Sequence, residues 1–351
     1  MGINYAPEKT GIAPYTTEMA EHLAGRGWAV TVLTGMPHYP EWRVRDDYRG
    51  SLRSREVRCG VAVRRFRHYT SAGQTAPARA LYELTFFAQA ISALGLTGAD
   101  RVLGVVPSLG GGAVAALLAR RFGAPLGLIM QDLVGLAAAQ SGVPGGRLVA
   151  RPTSALEGWI ARQAGGVAVV SDSFVRHLES AGLPRERIVH LPNWAHVAKP
   201  TGRTSAIRAA LDWPVDQQIV LHAGNMGRKQ GLENVVRAAR LAADEGIRVR
   251  FVLMGDGSDR RRLEALERDL PTLQFIGFQP AEIFMDVLAA ADVLLVNENQ
   301  NVRDMCLPSK LTSYFRAGRP VVAAVRCDGA TGAELARSRA ALVVSPADPR
   351  A

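Results

Sequence analysis

The sequence predicts two doubly wound α/β domains in series, each a largely parallel sheet with helices packed on its faces. Three observations carry this. At 351 residues and 48% hydrophobic content the chain can bury more than one core. Short apolar runs alternate with helix-like segments almost throughout, and the runs are continuous rather than polar at every second position, as strands buried on both faces are. The alternation breaks once and then restarts.

In order, strands are expected at 28–34, 61–66, 101–106, 125–130, 167–171 and 188–191, with helices near 12–26, 79–96, 111–122, 153–164 and 172–181. "NWAHVAKPTGRTS" (193–205) mixes Pro, Gly and polar residues without a period and reads as a linker. Strands resume at 219–223, 249–254, 273–276, 293–296, 321–325 and 341–344. The expected division is an N-terminal domain at 1–195, a linker at 196–205 and a C-terminal domain at 206–351. Ligands of such domains bind beyond the carboxyl ends of the strands.

Composition narrows the chemistry. Cys59, Cys306 and Cys327 are odd in number and far apart, so neither a disulfide framework nor a CxxC metal site is available. There is no Asp-x-Asp pair and no cluster of His, Cys or carboxylates at ligand spacing, so no metal and no cofactor are expected. No apolar run is long enough to cross a bilayer and no secretory signal is visible, which leads to the expectation of a cytoplasmic protein. The net charge of +10 gathers in one stretch, where Arg43, Arg45, Arg49, Arg53, Arg55, Arg58, Arg64, Arg65 and Arg67 face only Asp46, Asp47 and Glu56. A solvated basic face is one reading; an anionic membrane or a charged substrate is the other. Nucleic acid is not expected, because no helix-turn-helix, zinc-finger or RNA-binding signature appears.

Three turns point to an anion. "IVLHAGNMGRKQGLENVVR" (219–237) runs a strand into a glycine-rich turn, with Gly224, Asn225, Arg228 and Lys229, and then a helix carrying Leu232, Val235, Val236 and Ala239 on one face. Backbone amides, the positive helix end and two cations converge there, as a phosphate requires. The spacing is neither GxGxxG nor a Walker loop, so neither nicotinamide nor simple nucleoside-triphosphate chemistry is implied. "LMGDGSDRRRL" (253–263) places Gly255, Asp256 and Gly257 after the next strand, where glycine lets a ligand approach the backbone or simply makes a turn. "DMCLPSKLTSYFRAGRPVVAAV" (304–325) sets Pro308, Ser309, Lys310 and Leu311 at a helix start, with Ser309 a candidate cap and Gly318 ending the helix.

These stretches, with "NYAPEKTGIAPYTTEMAEHLAGRGWAVTVLTGMPHYPEW" (4–42), "MQDL" (130–133), "VVSDSF" (169–174) and "LPNW" (191–194), are collinear over nearly the whole chain. In them the chain resembles the two-domain glycosyltransferases of the GT-B fold, family 4, and within it the bacterial exopolysaccharide subgroup of colanic acid type. The resemblance implies two Rossmann-like domains facing across a cleft. It also implies retaining transfer of a sugar from a nucleotide diphosphate sugar to a saccharide acceptor, polyprenyl-linked, at the inner face of the plasma membrane. Arg228 and Lys229 would grip the pyrophosphate, Gly255, Asp256 and Gly257 would lie near the nucleoside, and Pro308, Ser309, Lys310 and Leu311 near the phosphates and sugar. Thr10 and Gly11 would approach the donor sugar and acceptor. Asp132 stands where many relatives carry an active-site histidine or acid, and could equally just cap the next element. His38 and Tyr39 could face the acceptor, although a loop histidine is more often simply hydrogen bonded.

One departure qualifies this reading. Most relatives carry two glutamates eight positions apart in the last motif, one for the donor sugar and one for the ribose, where this chain has Met305 and Ser313 and the subgroup's "LPSKL" form replaces them. Two alternatives stay open: a nucleotide-sugar 2-epimerase of the same fold, or a non-catalytic subunit of a polysaccharide assembly complex. Only Met1, Gly2 and Ile3 precede "NYAPE", and "SPADPRA" ends where similar proteins continue, so the chain is expected to be truncated at both ends or to have a mis-set start. Finally, "ALYELTFFAQAISALGL" (80–96) is an almost uncharged helix with Leu81, Leu84, Phe87, Ile91 and Leu94 at helical spacings. It is expected either to pack against the sheet or, with the arginine stretch, to meet an anionic membrane.

Overall fold

The computed structural model describes residues 1–9, 11–73, 75–136, 146–267, 269–302 and 308–350. The chain divides into two compact units, Met1–Trp194 and a second that begins at Ala195.

The first unit contains α1 (Ala13–Gly25), β1 (Thr31–Gly35), β2 (Arg53–Arg58), β3 (Val61–Phe66), α2 (Ala76–Ala90), β4 (Val102–Val106), α3 (Leu109–Phe122), β5 (Leu126–Met130), α4 (Gly146–Gln163), β6 (Gly166–Val169), α5 (Asp172–Ser180) and β7 (Ile188–His190). Its strands form two sheets, β1-β3-β2 and β4-β5-β6-β7. Residues 1–3 lie between them: Gly2 N bonds Leu33 O at 3.1 Å, Gly35 N bonds Ile3 O at 3.0 Å, and Val105 N bonds Met1 O at 2.8 Å. Backbone hydrogen bonding therefore runs on from one sheet to the other through this short segment. Phe86, Val114, Leu128, Met130, Ile160 and Phe174 are among the fully buried residues of the core.

Three features depart from expectation. Strand β2 falls inside the arginine stretch and pairs antiparallel with β3. Its residues alternate only weakly in burial, because an edge strand has one neighbour and its charges keep that edge from pairing further. Arg65 is not part of a basic face: its guanidinium is buried, donating through Nε to Glu56 Oε1 at 2.7 Å and through Nη2 to the carbonyl of Ala6. Helix α2 buries Tyr82, Phe86 and Ala90 rather than the Leu81/Leu84 stripe, so that Phe86 is enclosed, Phe87 lies at the rim, and Leu81 and Leu84 remain 44% and 64% exposed.

The second unit contains α6 (Thr204–Ala210), β8 (Gln218–Ala223), α7 (Glu233–Asp244), β9 (Val249–Met254), α8 (Arg260–Leu266), β10 (Leu273–Ile276), α9 (Ala281–Ala290), β11 (Val293–Asn297), α10 (Lys310–Ala317), β12 (Val321–Ala324), α11 (Ala330–Ser338) and β13 (Ala341–Val344). Its sheet is parallel in the order β10-β9-β8-β11-β12-β13. Counted from β8, this is strand order 3-2-1-4-5-6, so the winding reverses between β8 and β11. A crevice opens outside the carboxyl ends at such a reversal and is where this architecture takes its ligands. The face predicted for α7 is the one that packs: Leu232, Val235, Val236 and Ala239 are all buried.

Candidate active site

The turn after β8 and the turn after β9 are built against each other. Gly224 N bonds Met254 O at 2.8 Å, Met226 N bonds Asp256 O at 2.8 Å, and Asp259 N bonds Met226 O at 2.9 Å. A Cβ on Gly255, whose φ is +136°, would lie 1.9 Å from the carbonyl oxygen of Gly224. Close approach is thus required at Gly255, but it is the neighbouring turn that approaches. Asp256 is exposed and accepts from Gly257 N at 2.7 Å.

Arg228 and Lys229 occupy a single 3-10 turn, 228–230, and α7 starts after it at Glu233. Both side chains are exposed and have no hydrogen-bond or ion-pair partner among the described residues. Asn225 is exposed beside them. Gln230 closes the turn by accepting from Gly227 N at 3.1 Å. From the facing strand β11, Asn297 Nδ2 donates to Gln230 O at 2.6 Å and Gly231 O at 3.0 Å, and Asn299 N donates to Lys229 O at 2.7 Å. The cationic turn is therefore stitched to the carboxyl end of β11.

Lys310 opens α10 and turns its ammonium over the first glycine turn. Nζ lies 3.0 Å from His222 Nε2 and 3.4 Å from where a Cβ on Gly224 would stand. Burial, and secondarily the ammonium of Lys310, keep the enclosed His222 well below its usual pKa, so the neutral ring accepts from Lys310. Burial in turn pushes Lys310 down to about 7. Leu311 is buried, Pro308 half-buried and Ser309 exposed. Ser309 does not cap the helix: its φ of −59° and ψ of −22° are already helical, outside the extended geometry from which an N-cap side chain reaches forward. Gly318 ends the helix in the left-handed conformation, φ +69°, as expected. Between them the hydroxyl of Tyr314 accepts from Ala223 N at 2.8 Å and donates to Leu295 O at 3.3 Å, tying α10 to the last residue of β8 and the middle of β11.

In the first unit, Gly11 (φ +64°) lies under the ring of Tyr39, 3.2 Å from where its Cβ would be; Thr10 lies outside the described residues. Pro7, Glu8, Lys9, Tyr39, Glu41 and Arg43 are among the residues lining an open pocket of about 480 Å³. Tyr39 lines that pocket, whereas His38 is buried. The histidine ring is enclosed, with its residue 1% exposed, and donates from Nδ1 to Met36 O at 2.8 Å while Nε2 accepts from Tyr82 OH at 3.1 Å. Burial holds it below its usual pKa, and it packs edge-on against His68.

Asp132 is half-buried just past β5. The preceding Gln131 exchanges two amide hydrogen bonds with Asn193, at 2.9 and 2.8 Å. The residues after Asp132 are held by Glu157, which accepts from Val134 N at 2.8 Å and Gly135 N at 3.4 Å. Burial pushes Glu157 up to about 7, and the charge of Asp132 adds to the shift.

Sequence reasoning missed Glu8, Glu83, Glu157, His222, Glu298 and Tyr314. A signal existed for two of them: Glu83 is the lone acid in an otherwise apolar helix segment, and His222 interrupts an apolar strand. Among the described residues no group of three His, Cys, Asp or Glu is placed to hold a metal, and no helix is long and apolar enough to cross a membrane.

Comparison with known proteins agrees with this architecture. A glycosyl transferase 4-like domain matches residues 10–194, and a glycosyl transferases group 1 domain matches residues 217–351. The chain is 34% identical over 331 residues to a protein named for colanic acid biosynthesis, glycosyl transferase WcaI of Escherichia coli K12, covering 90% of this chain and 80% of that one. Among solved structures, sucrose-phosphate synthase of Thermosynechococcus elongatus superposes with a TM-score of 0.73 at 20% identity, covering 97% of this chain and 82% of the other. Anabaena Alr3699/HepE in complex with UDP and glucose gives a TM-score of 0.64 at 17% identity, covering 99% and 86%. The two matched domains, the relative matched over 331 residues and the shared fold make this chain a glycosyltransferase of the GT-B fold, a member of family 4.

Proposed function

We propose that the chain transfers a sugar, with retention of configuration, from a nucleotide diphosphate sugar to a saccharide acceptor in bacterial cell-surface polysaccharide synthesis. The observation that carries the donor assignment is the carboxyl edge at β8 and β11. Two exposed cations without a hydrogen bond or ion pair among the described residues, Arg228 and Lys229, and the ammonium of Lys310 stand there at a glycine turn. As the bond from the sugar's anomeric carbon to the diphosphate breaks, negative charge grows on the departing oxygen, and fixed cations stabilise it most at that moment. The acceptor hydroxyl forms the new bond on the face the diphosphate leaves, and its proton passes to a phosphate oxygen, so no enzyme carboxylate is required as nucleophile. The relative named for colanic acid biosynthesis and the neighbour holding UDP and glucose support the substrate class.

The acceptor belongs with the first unit. The pocket beside Tyr39 offers carboxylates, cations and an aromatic ring, groups that hydrogen bond and stack on a saccharide. A polyprenyl-linked acceptor would bring the protein to a membrane surface, and exposed Leu52 and Val57 beside Arg53 and Arg55 suit anionic lipid. The test is product formation with each of a set of nucleotide diphosphate sugars, with and without a lipid-linked saccharide extract. Acceptor-dependent release of nucleoside diphosphate is expected. Release of free sugar, or epimerised sugar without acceptor, would reject the transferase reading in favour of the epimerase.

A further inference from the structure

We propose that His222 is a positioning residue for the donor: it holds the ammonium of Lys310 over the Gly224 turn, ready for the diphosphate, an inference that rests on the donor site proposed above. His222 lies in β8, fully enclosed and two positions before Gly224, and Lys310 is the first residue of α10. Helix α10 does not depend on the histidine to dock there. Tyr314, one turn further along the same helix face, is itself buried and bonds the backbone of Ala223 and Leu295. What the 3.0 Å contact between Lys310 Nζ and His222 Nε2 adds is a fixed direction for the lysine side chain.

Two properties of the pair suit it to an anion. The first is preorganisation. A lysine side chain gives up much rotamer freedom when it is fixed, and the bond to His222 fixes it before a ligand arrives, with Nζ and Cε 3.4 and 3.5 Å from where a Cβ on Gly224 would stand. The second is charge. A carboxylate at 222 would orient Lys310 as well but would cancel its charge, as Glu56 does for the buried Arg65. An imidazole kept neutral by burial accepts through Nε2 and leaves the positive charge for an anion. The acid that does act on Lys310, Glu298 just past β11, does so through space and accepts its own hydrogen bond from Thr331 Oγ1 at 2.8 Å. A histidine in an apolar strand thus aims a cation without neutralising it.

The experiment is calorimetric titration of the full chain with UDP and with GDP, the bare diphosphates that carry the group Lys310 would meet. His222→Leu removes the acceptor and is expected to weaken binding about threefold to tenfold, the range for one intramolecular hydrogen bond. In a Lys310→Met background the same change is expected to have no effect, because a residue that acts only through Lys310 then has nothing to position. His222→Gln, which offers an amide oxygen in place of Nε2, is expected to recover most of the affinity. His222→Phe, with a ring of similar size and no acceptor, is expected to match the leucine variant and serves if that variant does not fold. Equal losses with and without Lys310, or unchanged affinity in both the leucine and phenylalanine variants, would overturn the proposal and leave His222 as a core residue. A glutamine variant as weak as the leucine one would overturn it too. The underlying donor reading is judged separately: a parent protein that binds neither nucleotide rejects that reading and this one together. A parent whose affinity falls with Lys229→Ala but with neither Lys310→Met nor His222→Leu rejects this inference alone.

Discussion

Both units end their parallel strands in short turns, yet the two carboxyl edges are finished with opposite charge. In the first unit the turns are held by the protein's own acids. Glu8 accepts from the amides of His38 and Tyr39 at 2.8 and 2.9 Å, Glu83 from Ser108 Oγ and Gly110 N at 2.8 and 2.9 Å, and Glu157 from Val134 and Gly135. Donors that could grip an anion, the start of α3 among them, are thereby already committed. In the second unit the turns are held by backbone bonds between glycine loops and by asparagine and glutamine amides, and the cations Arg228 and Lys229 are left without partners among the described residues. Two sheets of one architecture therefore differ in what they can receive. The edge closed by carboxylates disfavours an anion and the cationic edge favours one, which is the contrast on which the proposed donor side rests. The distinction lies in side chains, not in the fold.

The largest effect expected from this contrast is on the cationic edge. Lys229→Ala should weaken donor binding by about 1.5 to 3 kcal/mol and Arg228→Ala should act in the same direction, with turnover falling further if the interaction strengthens as charge develops. Neither change should lower the unfolding midpoint of the free protein noticeably, because both side chains are exposed and neither has a hydrogen bond or ion pair to lose among the described residues. Unaltered donor affinity in both variants would break the comparison at its centre.

The acids of the first unit should behave the other way round. Glu83→Ala leaves Gly110 N–H and the Ser108 hydroxyl without their acceptor and should cost about 1 to 3 kcal/mol of stability by urea unfolding, with nucleotide affinity unchanged. Glu83→Gln, which still offers an oxygen, should recover much of the loss. A glutamine variant as unstable as the alanine one would mean that packing around Phe86 and Phe87, not hydrogen bonding, sets the importance of this position.

The sequence conveys the fold through periodicity, and periodicity is what parallel strands and their helices express. Every predicted strand of the second unit is present within a residue or two, as is the buried face of α7. Strand β2 escaped notice because "RSREVR" at a sheet edge buries too little to show an apolar pattern. The Lys310 turn was legible as a motif, but its contact with His222 joins residues 88 apart and no local pattern encodes it. Gly255 and His38 teach the same point from the other side. Their residue types left a ligand and a purely structural role both open; in the fold the first makes room for a neighbouring turn and the second is enclosed among Met36, Tyr82 and His68. Glu8 and Glu157 became visible only when the elements they join were brought side by side.

The smallest effect should be one of pH, and it sharpens the comparison because the two edges should respond with opposite sign. Glu157 is raised by burial from its ordinary 4.5 to about 7, so between those values the native state keeps a proton that the unfolded chain has released. Its contribution to stability is fully present below 4.5 and is lost as the pH rises through about 7. Lys310 is lowered by burial from 10.5 to about 7, so between those values the unfolded chain holds the extra proton, and its contribution grows as the pH rises over that window. Each slope is bounded by one proton, about 1.4 kcal/mol per pH unit, and overlapping titrations will reduce it. Amide hydrogen exchange, read separately at β5 and at β8, should show protection in the first unit falling as pH rises from 5 to 7 and protection in the second rising from 7 to 9, after correction for intrinsic exchange. Donor affinity should run against the second trend, weakening above about pH 7 as Lys310 loses the charge that a diphosphate needs. Glu157→Gln should flatten the first slope alone and Lys310→Met the second alone. If both variants leave both slopes as they were, the titrating groups lie elsewhere, and the contrast between the two edges is one of hydrogen bonding without a difference in proton affinity.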